Sequence, residues 1–110
     1  MGIIYKVLGQ INPTANTITD LYTTPLGANT VVSTISVCNQ SNISTTFDLV
    51  VLPNGDSLTA KNYMNFQTPL PANDTITLTL GITLGSGDKI QANVRTSTIS
   101  INAFGTEITQ

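Results

Sequence analysis

Apolar and polar residues alternate along much of this chain with a period of two. In DTITLTL (74–80), Ile76, Leu78 and Leu80 fall on one side, and Thr75, Thr77 and Thr79 on the other. DKIQANVR (88–95) repeats the pattern, with Ile90, Ala92 and Val94 opposed to Lys89, Gln91, Asn93 and Arg95. Alternation of this kind puts successive side chains on opposite faces of an extended backbone. Both segments therefore predict strands with one face on a core and one in water.

Further strands are predicted at IIYKVL (3–8), TITDLYTT (17–24), TVVSTISVCN (30–39), TFDLVVL (46–52), AKNYMNF (60–66) and TISINAFG (98–105). The same phase reading sends Val31, Ile35 and Val37 to one face, Phe47, Leu49 and Val51 to another, and Ile99, Ile101 and Ala103 to the core. Phe104 also reads as core. Turn clusters separate these segments at short spacing: PLGAN (25–29), PNGD (53–56), PLPAND (69–74) and GSGD (85–88). No window shows the i, i+3, i+4, i+7 apolar face of a helix. Seven or eight short strands divided by turns predict an all-β fold, a single antiparallel sandwich over residues 1–110, Ig-like or jelly-roll, with essentially no helix.

Charge changes the picture more than hydrophobicity does. Charged residues are 9% of the chain, against ~25% in ordinary soluble domains. Threonine, serine and asparagine fill the polar surface instead. Little like-charge repulsion keeps copies of such a protein apart, so the surface suits one covered by partners. The net charge is −2, and Lys6, Lys61, Lys89 and Arg95 stand singly. No basic patch for phosphates results, and nucleic acid is not an expected partner. Cys38 is the sole cysteine and reads as a small core residue. No membrane helix or leader is read, since the apolar run in MGIIYKVL is too short and lacks a basic start.

The chain has no histidine, which removes the usual general base and the usual metal ligand together. No phosphate-binding glycine motif is present. Of the acids, Asp56, Asp74 and Asp88 lie in turn clusters, where aspartate commonly bonds its own backbone. If 74–80 and 88–95 are successive antiparallel strands, Asp74 and Asp88 lie about 20 Å apart, too far to cooperate. No catalytic, cofactor-binding or metal-binding residues are assigned, no cofactor or small-molecule substrate is expected, and the chain does not read as an enzyme. A sugar-binding module would want a flat aromatic platform. There is no Trp, and Tyr63 and Phe66, three apart, read as pointing to opposite faces of one strand.

What remains is adhesive. GIIYKVL can join a neighbour's sheet edge as well as its own, and TITLTLGITL (75–84) carries no charge and asks to be covered. Interface candidates are Ile3, Ile4, Tyr5, Tyr22, Tyr63, Met64 and Phe66. The phrases YKVLGQINPTANTITDLYTTP, VVSTISVCNQS, LPANDTITLTLGITLGSGD and ISINAFGTEIT together resemble a family of small virion structural proteins of tailed bacteriophages, particularly those infecting cyanobacteria. The resemblance runs from Ile3 to Thr109 and implies a non-enzymatic β-sandwich built into the particle. The expectation is a capsid decoration or cement protein on the major capsid protein, homo-oligomeric and assembled in the host cytoplasm. The alternatives are a tail, neck or baseplate component anchoring a fibre and, in another class, a small carbohydrate-binding module for host attachment.

Overall fold

The computed structural model describes residues 2–79 and 81–109. Nine strands run through them: β1 (Gly2–Ile11), β2 (Thr19–Thr23), β3 (Ala28–Asn39), β4 (Thr45–Leu52), β5 (Tyr63–Leu70), β6 (Thr75–Leu78), β7 (Ile82–Leu84), β8 (Lys89–Val94) and β9 (Ile99–Thr109). One 3-10 turn, Ala60–Asn62, precedes β5. Two antiparallel sheets pack face to face. The first runs β1-β9-β3-β6, with β7 also paired to β3, and the second runs β2-β8-β4-β5.

The order decides between the two expected architectures. β6 and β7 lie end to end along β3, Cys38 to Ile35 and then Val32 to Thr30, and act as one edge strand broken at Gly81, whose φ is 61°. With that strand counted once, first pairs with last (β1 with β9), second with next to last (β2 with β8), and so inward to the β4–β5 hairpin. This is one long hairpin rolled across two sheets, the jelly roll, and not the immunoglobulin order. It also separates segments 74–80 and 88–95, which are therefore not successive antiparallel neighbours: β6 lies in one sheet and β8 in the other.

Between the sheets, Val32, Ile35, Val37, Ile99, Ile101 and Ala103 meet Phe47, Leu49, Ile90, Ala92 and Val94, all buried. The alternation in β6, β8 and β9 holds as read wherever it is described; Leu80 lies outside the described residues. In β3 it breaks. Val31 faces solvent and Val32 the core, because Ser33 is an extra residue between Val32 and Thr34 in the ladder with β9. One inserted residue reverses the phase of everything before it. The Ser33 hydroxyl donates to the Phe104 carbonyl at 3.1 Å, anchoring the bulge.

A second bulge, at Leu8 in β1, falls on the other side of β9 at the same level. Phe104 lies between the two bulges on the outer face and is half exposed, not core. Past this level β1, β3 and β9 run on beyond the better-covered part of the sandwich, and the molecule is long, 45 × 28 × 20 Å.

The second sheet has an unusual outer face. Asp48, Val50 and Leu52 pair with Asn93, Gln91 and Lys89, opposite in phase to the core residues of β4. They nevertheless expose only 2%, 0% and 8% of their surface. The chain from the 3-10 turn through the bulged β5 reaches back to β4 here: the Asn62 amide donates to the Val51 carbonyl at 3.1 Å, and the backbone N–H of Gln67 donates to Asp48.

Candidate functional site

A strip of exposed apolar residues lies on the outer face of the first sheet. Ladder register aligns Ile3 with Ile108, Tyr5 with Thr106 and Val31, and Val7 with Phe104. Ile3, Tyr5, Val7, Val31 and Phe104 are all solvent-exposed, Tyr5 most of all at 83%. Strand pairing explains the strip: Ile3, Tyr5 and Val7 share one parity of β1 and so one face. Scattered surface apolar residues need no explanation, but a contiguous strip on one sheet face marks a contact surface. Of the interface residues expected from sequence, Ile3 and Tyr5 lie in this strip. Ile4 points to the opposite face of β1 and is also exposed. Val7, Val31 and Phe104 were missed: Val31 because the bulge at Ser33 is invisible in a strictly alternating reading, and Phe104 because its ring was read as core against the parity of its own strand.

Tyr22 offers no surface. It is buried, and its hydroxyl lies 2.8 Å from Thr30 Oγ1 and donates to Glu107 Oε2 at 2.5 Å. The Lys6 ammonium reaches the other carboxylate oxygen, Oε1, at 3.4 Å. This polar cluster closes the sandwich where β1, β3 and β9 outrun it, and Glu107, itself buried, is satisfied on both oxygens. Burial and then the Glu107 hydrogen bond push the Tyr22 hydroxyl from its ordinary value up to about 12. The unfolded chain then loses its phenolic proton first, near pH ~10. Folding stability is therefore full below that pH and falls as pH rises from about 10 through about 12. Tyr22→Phe is expected to lower stability at neutral pH but to flatten this alkaline decline. Urea unfolding of both proteins from neutral pH to pH ~12 checks it; parallel declines would show that Tyr22 does not titrate differently on folding.

A second surface feature lies at the edge of the other sheet. Tyr63 and Phe66 form an edge-on aromatic pair, ring centroids 5.1 Å apart and planes at 89°. The expectation that they face opposite ways is overturned. Met64 is an extra residue between Tyr63 (opposite Val50) and Asn65 (opposite Leu49), and this bulge brings both rings to one side. Met64 itself packs half-buried against the core. The rings and Ala60 border a cleft of about 400 Å³, and Tyr63 also borders a second cleft of about 510 Å³ with Asp56 and Lys61. The Lys61 ammonium, 2.8 Å from Asp56 Oδ2, holds that carboxylate below its ordinary range.

Three further acids are each held by backbone N–H groups or a cation. Asp88 accepts from the backbone N–H groups of Asn54 and Gly85 at 2.8 Å each, and Asp74 from that of Thr75. Asp48 is held by Arg95 at 3.0 Å. Among the described residues no group of three or more His, Cys, Asp or Glu side chains is placed to hold a metal, and no helix is long and apolar enough to cross a membrane. What the arrangement offers is contact area, an apolar strip on one sheet face and an aromatic pair at the edge of the other. The chain matches no protein-family model and no curated protein.

Proposed function

We propose that this protein is a non-enzymatic structural component of a tailed-phage particle, a capsid decoration or cement protein seated on the major capsid shell. The observation that carries the reading is the strip formed by Ile3, Tyr5, Val7, Val31 and Phe104 on a rigid sheet face. A thinly charged protein that displays such a strip gains by covering it. The jelly roll is an architecture that viral shell proteins use, and this supports the reading by analogy. Bridging joints between shell subunits would raise the work needed to open the head. Folding would take place in the host cytoplasm and the finished protein would reside in the virion.

Quantitative mass spectrometry of purified particles, separated into heads and tails, tests this. The expected result is a copy number in heads comparable to the major shell protein. A few copies confined to tails would replace the reading with a fibre-anchoring adaptor. Absence from both would leave the Tyr63–Phe66 cleft as the better guide. That second reading, a small binding module that holds a sugar face against an aromatic edge, is favoured by the ring pair alone.

A further inference from the structure

A β-sandwich must manage its sheet edges, because an unpaired edge is a template for another strand. Three of the four edges here are blunted. The β6–β7 edge is cut at Gly81 into pieces of four and three residues. β2 has five residues, an irregular register and the charged Asp20. β5 carries two bulges, Pro69, and Gln67 at a φ of 50°.

The fourth edge, β1, has no such device over Gly2–Val7. Its register against β9 is unbroken there, and among the described residues it pairs with no other strand. It contains no proline, and its one charge, Lys6, is drawn toward Glu107. Ile3, Ile4, Tyr5 and Val7 are all exposed along it.

We propose that the Gly2–Val7 edge pairs antiparallel with the same edge of a second copy, about a two-fold axis at Tyr5, making one continuous sheet across the dimer. A strand edge is its own hydrogen-bonding complement under a two-fold, the defining property of an isologous contact. With the axis at Tyr5, Ile3 meets Val7 and Ile4 meets Lys6, so apolar side chains match and the ammonium lies along an aliphatic neighbour. An axis at Lys6 would set two like charges opposite each other, which destabilises a cross-strand pair.

A six-residue edge, about 20 Å long, covers backbone and side-chain flanks and falls short of the ~800 Å² per partner of a standard interface. A contact of this size suits a weak dimer that forms as concentration rises. The edge is used by the second copy and the outer face stays free, now doubled in length, for a shell protein. The dimer stands whether or not the virion reading does, and it is tested on the purified chain alone.

Sedimentation of the purified protein over about 1–200 µM is expected to show a reversible monomer–dimer equilibrium, with a dimer of twice 11.6 kDa. Tyr5→Lys places two ammonium groups at the axis and is expected to weaken the dimer at least about tenfold. At concentrations where both proteins are monomeric its melting temperature should not change, since Tyr5 is exposed. In a Cys38→Ser background, Tyr5→Cys should oxidise to a single covalent dimer, because opposed residues in an antiparallel pair lie about 4.5–5.5 Å apart at Cα, within disulfide reach. A monomer at every concentration, a trimer or larger ring, or a dimer undisturbed by Tyr5→Lys and not trapped by Tyr5→Cys would each overturn the proposal.

Discussion

Gly105→Ala is expected to destabilise the protein by about 3 kcal/mol or more, at or beyond the usual upper range for overpacking a tight site. A Cβ at Gly105 would sit 2.1 Å from the Val31 carbonyl oxygen and 3.0 Å from Val32 Cα. Both are backbone atoms of a neighbouring strand and neither can swing aside. The position lies in the middle strand of a three-strand ladder, beside the bulges at Leu8 and Ser33, so relief would require breaking one of them. The sign of the change is diagnostic. Elsewhere in a strand, replacing Gly with Ala removes an entropic cost and stabilises by about 0.5–1 kcal/mol. Chemical unfolding decides it: a rise in stability would show that β3 and β9 do not approach so closely. A loss accompanied by changed exposure of Tyr5 would show that the bulges also set the outer strip.

The same feature explains where the sequence misled. Alternation in DKIQANVR and TISINAFG is a direct record of a continuous, half-buried strand, because each residue has one face to choose and chooses by polarity. β3 records two such choices joined by an inserted residue. Nothing about Ser33 marks it as inserted, since any small polar residue suits the wet face as well as a bulge. Val31 and Val32 are both apolar, so neither betrays the change of phase. A usable signal lay elsewhere. Gly9 and Gly105 are isolated glycines inside strand patterns, and such glycines mark bulges or close backbone approach. Gly9 is the second case, with a Cβ there falling 2.1 Å from the Leu21 carbonyl oxygen.

The aromatic pair was illegible for a related reason. Three-residue spacing rules out a shared face only while the strand is regular, and β5 loses phase at Met64 and again between Asn65 and Thr68. Tyr22 was ambiguous in sequence because a tyrosine serves equally at an interface or at a core's polar end. Its partner Glu107 lies 85 residues away, a distance no local pattern spans. Ile3 and Tyr5 were legible as interface candidates because GIIYKVL can join a neighbour's sheet edge as well as its own.

Asp48 carries the second large effect, and its place on the outer face of β4 makes the effect unexpected from sequence. Asp48→Ala is expected to cost about 2 kcal/mol, by removing the charged acceptor of two partly buried hydrogen bonds, from the Gln67 N–H and the Arg95 guanidinium. The carboxylate exposes only 2% of its surface. One oxygen accepts the Gln67 backbone N–H at 2.7 Å, and the other accepts from Arg95 Nη2 at 3.0 Å. Gln67 has a φ of 50°, a left-handed conformation that a non-glycine residue holds only when its surroundings require it. Asp48 is the group that requires it, and this bond secures the second bulge beside Phe66. Asp48→Asn keeps one carbonyl oxygen for the Gln67 N–H but sets an amide against the guanidinium, and about half the loss is expected. Arg95→Ala strands the carboxylate instead, and the double variant should cost less than the two single changes together. Near-ultraviolet circular dichroism offers an independent reading, since loosening at Gln67 should weaken the Tyr63–Phe66 signal before the fold is lost. If Asp48→Ala stays within about 0.5 kcal/mol of the parent, the range of an ordinary surface change, the carboxylate is a passive surface acid and some other contact fixes the β5 bulges.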